Sequence, residues 1–191
     1  MRHRKIGRKL GRNPNHQRAL LRSLTVALIL TERETEDYDS EKQAAKVKGR
    51  IITTITKAKE VRPFVERCVT LAIKAQKSIL EAEKLAPKAD RQSAAWRAWR
   101  EGEGWKEWVK VAAPGLAYRR RVKQLLGSDE AVSILFEKIA PRYTDRNGGY
   151  TRIVRLAKPR LGDSGVRAIL EFVGERDREN KAPVVPSVES K

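Results

Sequence analysis

The sequence predicts an α/β protein of the α+β class, with two layers: helices packed on a small three-stranded mixed sheet. Three observations support this fold and an extended basic N-terminal arm beside it. The apolar patterns follow the order helix, strand, helices, strand, strand, which suits a two-layer domain. Hydrophobic residues make up 40% of the 191 residues, enough for a core. The first residues, by contrast, are basic and have almost no apolar surface to bury.

The same patterns divide the chain into three parts. We expect a basic arm over residues 1–12, a single α/β domain over residues 13–174 and a flexible charged tail over residues 175–191. Two stretches of the domain differ in composition and are predicted to be insertions. One is acidic, at about 33–48, and the other is helical and bears tryptophans, at about 79–117.

The first helix is predicted to begin at residue 14. Asn13 is a good capping residue, and proline suits the first helical position because its missing N–H is not needed there. Apolar residues at helical spacing then continue to Leu30. The stripe expected to face the core consists of Leu20, Leu21, Leu24, Ala27 and Leu28.

The central part of the chain predicts one strand and one long helix. Residues 50–56 (RIITTIT) are rich in β-branched side chains, which is typical of a strand. A helical pattern follows from Lys57, and Pro63 within it predicts a kink or a late start of the helix. Cys68 lies on the apolar face of this pattern, so we interpret it as a small buried side chain and not as a reactive thiol.

Four tryptophans lie in two pairs within the stretch RQSAAWRAWREGEGWKEWVK, with basic residues between them. On a helix, residues three apart share a face. One interpretation is a helical hairpin that packs its indoles on the body of the domain, with Gly102 and Gly104 at the turn. The other is a platform that stacks on splayed bases or docks a neighbouring protein. The four residues are Trp96, Trp99, Trp105 and Trp108.

The last part of the domain predicts a helix and then two paired strands. Ser128 and the acids that follow it form a helix start, and Pro141 is predicted to end that helix. Residues 150–156 and 167–173 alternate apolar and polar side chains with period two, which predicts strands. A basic loop joins them.

Basic residues dominate the charge and are grouped in two places. The formal net charge is +18, and the first 22 residues contain no Asp or Glu. Such a chain indicates a nucleic-acid partner, because phosphates relieve the repulsion between the cations. The first group is Arg2, Arg4, Lys5, Arg8, Lys9, Arg12, Arg18 and Arg22. The second group is Arg142, Arg146, Arg152, Arg155, Lys158 and Arg160.

No group of residues in the sequence indicates catalysis, a metal site or a cofactor. His3 and His16 have no nearby carboxylate to orient them, and with the single cysteine they do not give zinc spacing. No phosphate-binding glycine loop or nucleophile elbow occurs. We therefore predict no enzyme activity and no cofactor. The longest apolar run, near Leu24, is too short for a membrane span and lacks a cleavage site, so we expect a cytoplasmic protein with no membrane partner.

Folded RNA is the partner that the arm suits best. Proteins that read duplex DNA usually present a recognition helix in a helix-turn-helix or finger, and the sequence predicts no such module. An arm with Gly7 and Gly11 can thread between RNA helices and become ordered on binding. The alternative is a general DNA- or RNA-compacting basic protein. An RNA-modifying enzyme has less support, because no acid–base pair occurs.

Three blocks of the sequence resemble the bacterial large-subunit ribosomal protein seventeen family, and they occur in the family's order. They are MRHRKIGRKLGRNPNHQRALLRSL, TTITKAKEVRPFVERCVTLA, and LFEKIAPRYTDRNGGYTRIVRL together with RLGDSGVRAILEFV. The resemblance covers residues 1–30, 51–77 and 119–173. The motifs MRHRK and RNGGYTRI are long and unusual, so the resemblance is specific.

The resemblance implies a two-layer α/β fold with a three-stranded mixed sheet and no catalytic residues. It implies binding to large-subunit ribosomal RNA near the outer opening of the peptide exit tunnel, in the cytoplasmic ribosome, beside neighbouring large-subunit proteins and without a small-molecule substrate. The RNA-facing positions carried over are Arg2, His3, Arg4, Lys5, Arg8, Arg12, His16, Arg18, Arg146, Tyr150 and Arg152. Charge adds Lys9, Arg22, Lys158 and Arg160. For Tyr150, a strand residue packed on the helices is an equal alternative.

The chain departs from the family pattern at the acidic insertion, at the tryptophan segment and in the tail. Our hypothesis is that the tryptophan segment adds a contact to RNA or to a neighbouring ribosomal protein.

Overall fold

The structure is a computed structural model that describes residues 7–11, 13–34 and 45–174. Much of the predicted arm and acidic insertion, and the predicted tail, lie outside these residues. The helices are α1 (Pro14–Leu30), α2 (Ile55–Leu85), α3 (Ala94–Glu101), α4 (Glu103–Leu126) and α5 (Asp129–Ile134). A π-helical turn (Leu135–Ile139) and a 3-10 turn (Ala140–Tyr143) follow α5. The strands are β1 (Arg50–Thr54), β2 (Thr151–Arg155) and β3 (Arg167–Phe172).

The sheet has β3 in the middle, with β1 and β2 on either side, and both pairs are antiparallel. Ile51, Leu170 and Ile153 lie side by side across it. The α+β class is therefore confirmed, but the prediction of a mixed sheet is wrong. β1 and β2 do run in the same direction, but they never pair because β3 lies between them.

The helices cover one face of the sheet, and α2 lies at the centre of the core. Its buried face includes Val61, Val65, Cys68, Val69 and Ala72. Apolar side chains of α1, α4, the π-helical turn and the sheet belong to the same core cluster. Cys68 is fully buried, as the apolar pattern predicts.

The start of α1 is confirmed, but its buried stripe is shifted. The side chain of Asn13 accepts a hydrogen bond from the N–H of Asn15 at 2.8 Å, and proline occupies the first turn. Leu28 and Ile29 are fully buried, whereas Ala27 is exposed. The predicted leucines of the first half of the helix are only half-buried, because α1 packs on the core through its last turns.

Two predicted boundaries along the chain are wrong. α2 begins at Ile55, two residues before the predicted start at Lys57 and without the late start that Pro63 offered as an alternative to a kink; β1 is correspondingly shorter than residues 50–56. The proline is tolerated because the carbonyl it leaves unpaired, that of Lys59, belongs to an exposed residue that water can reach. After α5, the chain continues through the π-helical turn, and Pro141 stands in the first turn of the 3-10 turn instead of ending a helix.

The tryptophan segment forms a helical hairpin of α3 and α4, as one interpretation predicts. Gly102 ends α3 and precedes α4, but Gly104 lies within the first turn of α4. A side chain at Gly104 would lie 2.6 Å from the ring nitrogen of Trp99, so a glycine is needed at this contact. The indoles pack mainly on one another, not on the body of the domain: Trp99 contacts the other three.

An ion pair between buried Glu32 and exposed Arg142 joins the end of α1 to the 3-10 turn. Both carboxylate oxygens of buried Glu32 accept hydrogen bonds from the guanidinium of Arg142, at 3.0 and 2.8 Å. Next to it, exposed Glu34 lies between Lys48 and Lys138, whose hydrogen bonds lower its pKa to about 2. These pairs hold the chain where it leaves α1.

Removing either partner of the Glu32–Arg142 pair will destabilise the domain. In Glu32→Ala and Arg142→Ala we expect the free energy of unfolding to fall by about 2 kcal/mol, between the values typical of exposed and buried pairs. The double variant should lose less than the sum of the two, because Arg142→Ala alone leaves a buried carboxylate unpaired. Urea denaturation measures all three. Glu103→Ala, which removes an exposed pair with Lys106, is the control and should change stability little. If the double variant lost the sum of the two single losses in free energy of unfolding, the result would contradict an interaction between Glu32 and Arg142.

The thiol of Cys68 is predicted to be unreactive in the folded chain. Burial raises its pKa from 9.0 to about 12, so at pH values near 8 almost no thiolate forms. Labelling with a disulfide reagent should therefore be slow in the native state and complete in urea, whereas the thiol of a Gln92→Cys variant, at an exposed position, should react at once. The stability that this neutral thiol contributes is fully present below its unfolded pKa and is lost as the pH rises from 9.0 towards 12. Fast native labelling of Cys68 would contradict its burial.

Candidate RNA interface

The arm lies across the beginnings of α1 and α2. The side-chain amide of Gln17 donates to the carbonyl oxygen of Arg8 at 2.9 Å, and the Arg8 guanidinium lies 3.5 Å from the carboxylate of Glu60. Gly7 and Gly11 have positive φ angles of +102° and +112°, where other residues would be strained. The described part of the arm is thus bent and held against two helices.

The loop between β2 and β3 projects at the same end of the molecule. The N–H of Ile55, the first residue of α2, donates to the carbonyl oxygen of Val166 at 3.0 Å. The N–H of Leu156 donates to the carbonyl oxygen of Arg167, also at 3.0 Å, and closes the base of the loop. Glu60, which contacts the arm, is about one and a half turns from Ile55 along α2. The arm, the start of α2 and the loop therefore share one end of the fold.

A basic groove lies between α2 and β2 at this end, with a volume of about 480 Å³. Four exposed cations line it: Lys59, Arg62, Arg152 and Arg155. Sequence reasoning missed Lys59 and Arg62. A signal for them was present: the first turn of α2 contains no acid, and Lys59 and Arg62 lie in the turn that follows, close to the positive end of the helix dipole.

Three predicted positions are turned to solvent. Lys9, His16 and Arg18 are exposed and form no ion pair with another described residue. The charges of Lys9 and Arg18 and the ring of His16 are thus accessible to an anion that approaches the beginning of α1. This is the arrangement that a polyanion-binding surface requires.

Other predicted cations help to hold the fold. Arg22 donates to the carbonyl oxygens of Leu125 and Gln124, at 2.9 and 3.4 Å, and so caps the C-terminal end of α4. Arg146 donates to the carbonyl oxygen of Gly148 at 3.2 Å. Both guanidinium groups therefore donate hydrogen bonds to backbone carbonyl oxygens of the fold.

Arg152 shares a buried carboxylate with a second arginine. Its guanidinium lies 2.5 Å from one oxygen of Glu171, and that of Arg50 lies 3.2 Å from the other. The three residues are neighbours across the strands of the sheet. One negative charge therefore faces two positive ones, and a net positive charge remains on this row.

The loop between β2 and β3, which we call the hairpin loop, has an exposed and basic tip. Lys158 is exposed, and its carbonyl oxygen accepts a hydrogen bond from Arg167 at 3.1 Å. Arg160 forms an ion pair with Asp163, which raises the pKa of the guanidinium and lowers that of the carboxyl. Leu161, which lies between Arg160 and Asp163 in the sequence, is 98% exposed. The tip of the loop thus presents cations and the apolar side chain of Leu161 to solvent.

Tyr150 is not on the surface, so its prediction as an RNA-facing residue is corrected. Its ring is buried and lies 5.3 Å from the ring of Tyr143, and its hydroxyl donates to the carbonyl oxygen of Arg146 at 3.1 Å. Its packing agrees with the alternative interpretation, a strand residue packed on the helices, although Tyr150 immediately precedes β2. The two tyrosines stabilise the turn that leads into β2.

Five predicted positions lie outside the described residues: Arg2, His3, Arg4, Lys5 and Arg12. Among the residues that the structure does describe, no three metal-liganding side chains come together. No helix within the same ranges is long and apolar enough to cross a membrane.

Comparisons with known proteins identify the family. The family profile described as Ribosomal protein L17 matches residues 20–173. Large ribosomal subunit protein bL17 of Rhodopirellula baltica is 54% identical over 189 residues, which are 99% of this chain and 89% of that protein. The bL17 proteins of Acidobacterium capsulatum and Lactobacillus helveticus are 35% and 37% identical, over 95% and 87% of this chain and 78% and 98% of their own lengths. The chain belongs to the ribosomal protein L17 family.

Proposed function

We propose that this protein is a structural constituent of the large ribosomal subunit that binds and stabilises large-subunit ribosomal RNA. One observation supports it most directly: the arm, the start of α2 and the hairpin loop bring their cations to one end of the fold. As the family implies, the site is near the peptide exit tunnel of the cytoplasmic ribosome. Its partners are ribosomal RNA and neighbouring large-subunit proteins, and its role needs no reaction and no cofactor.

The charges at this end leave an excess of cations for phosphates. The nearby carboxylates of Glu60, Glu66 and Asp163 each pair with an arginine. Lys59 and Arg155 form no ion pair with a described residue and are exposed. Because a guanidinium has five donors, an arginine with one protein partner retains donors for a phosphate.

The shape of this end favours irregular RNA over duplex DNA. The surface is built from a bent arm, a helix start and a loop, and not from one helix that could lie in a major groove. Such separate projections can contact phosphates of several RNA helices at once. Within this proposal, residues 1–12 act as an RNA-binding arm of the domain at 13–174.

The protein is expected to sediment with large ribosomal subunits. In a sucrose gradient, it should remain with them after a moderate-salt wash, and deletion of residues 1–12 should reduce this fraction severalfold because the arm's phosphate contacts are lost. The deletion variant should keep the thermal unfolding transition of the domain, which serves as the control for folding. Recovery with nucleoid DNA and not with subunits would support a general compacting protein and contradict the proposal.

Single charges in the α2–β2 groove should change how RNA binding depends on salt. Lys59→Gln and Arg155→Gln are each expected to lower the slope of log K against log salt concentration by about 0.7–0.9, the value for one phosphate contact. Filter binding to protein-free large-subunit ribosomal RNA measures the slope. Lys88→Gln is the matched control, an exposed lysine beyond the end of α2, and should leave it unchanged. Equal effects of all three substitutions would mean that the groove is not the binding surface.

A further inference from the structure

An apolar groove runs between the C-terminal half of α2 and the N-terminal half of α4, far from the basic end. Its volume is about 490 Å³. We call it the α2–α4 groove. Its apolar lining includes Ile79, Ala82, Trp105, Trp108, Val109 and Leu116. Val109 and Leu116 are 40% and 48% exposed, so the groove offers large apolar side chains to solvent.

The close approach of the two helices forms the groove. At Gly115, a side chain would lie 3.1 Å from Ile79 and 3.2 Å from the carbonyl oxygen of Ala75, so only glycine allows this contact without displacement. The small residues Ala82 and Ala112 continue the lining. The floor of the groove is thus formed by two helices in close contact.

The tryptophans support this groove and are poorly placed to stack on RNA bases. Trp105 and Trp108 stack on each other at 4.9 Å with 15° between their planes, and Trp99 meets both edge-on. The guanidinium of Arg100 lies over Trp96 and Trp105, at 5.2 and 5.4 Å. Faces of the indole rings are therefore already covered by other indoles or by the Arg100 guanidinium. What the cluster does provide is a rigid aromatic wall at one end of the groove.

The dimensions of the groove fit a short helix. Trp105 and Leu116 are eleven residues apart on α4, which corresponds to about 16 Å or three helical turns. A helix of three turns can place apolar side chains at positions i, i+3 or i+4, and i+7 along such a groove. Nucleic acid has no comparable row of apolar groups.

The charge beside the groove indicates the polar face of that helix. Beyond Leu116, the surface continues into a cavity lined by Arg119, Arg120 and Lys123. The acid in this cavity, Asp129, is already paired with Lys123 at 2.7 Å. On the same helix, Lys110 is exposed, whereas Lys106 pairs with Glu103; one acid, Glu83, lies in the lining of the groove. A partner with carboxylates along its polar face complements these cations.

We propose that the α2–α4 groove docks an acidic amphipathic helix of a neighbouring protein. The proposal goes beyond RNA binding and does not require it, because the groove and the basic end use different residues. It assigns a protein-binding role to the tryptophan segment.

The first experiment measures binding to the full-length protein through its tryptophan fluorescence, since all four indoles lie at or near the groove. The probe is a synthetic helical peptide of three to four turns, with leucines at groove spacing and glutamates elsewhere; a scrambled peptide of the same composition controls for charge. Val109→Glu and Leu116→Glu should each weaken binding at least tenfold. Val154→Glu, at an equally exposed apolar residue of the sheet, should have no effect. Equal binding of the scrambled peptide, or no effect of the groove substitutions, would overturn the proposal.

The second experiment identifies the natural occupant. A photo-crosslinking residue replaces Val109, and in a control variant it replaces Val154. Sedimentation first shows that each variant assembles into large subunits. The crosslinks are then mapped in the purified subunits. A crosslink from position 109 to an acidic helical segment of another protein supports the proposal. Crosslinks to RNA, to a second copy or to residues 175–191, or none from position 109, refute it. A variant that fails to assemble shows a failure of the proposed function instead, and the peptide measurement still decides the docking proposal.

Discussion

The burial of one face of α2 is the constraint on which the rest of the structure depends. Each fully buried aliphatic side chain contributes about 1.5–3 kcal/mol, and this helix supplies a continuous row of them to the core. Its first half packs on the sheet, where Glu66 accepts a hydrogen bond from Thr151 at 3.0 Å. Its second half packs on α4 at Gly115. Because α2 has 31 residues, it is too long for the sheet alone to cover.

The length of α2 separates two surfaces of different chemistry. Its beginning meets the arm and the hairpin loop, and the surface there is basic. Its far end meets α4, and the surface there is an apolar groove beside the tryptophan cluster. The alignment with the Lactobacillus helveticus relative covers 98% of that protein but only 87% of this chain. This chain is therefore longer than that relative.

Net charge alone does not describe the basic surface. Arg22 caps a helix, Arg142 neutralises buried Glu32, and Arg50 and Arg152 share Glu171. These arginines stabilise the fold through charge-assisted hydrogen bonds, whose geometry a lysine could not reproduce. In the arm, at the start of α1 and in the α2–β2 groove, Lys9, Arg18, Lys59 and Arg155 form a smaller set that is exposed and makes no ion pair with a described residue. Only that set is expected to contact phosphates with all of its donors.

Patterns in the amino-acid sequence predict the α+β class, the order of the elements and the basic character of the chain. Local signals suffice for these: the cap at Asn13, the β-branched run before α2 and the alternation in β2 and β3 act over a few residues. Only the tertiary structure decided that β3 lies between β1 and β2, that Tyr150 is buried, and that Lys59 joins Arg155 in one groove. Those outcomes depend on which distant segments meet, through contacts between residues far apart in sequence, and no local pattern encodes them.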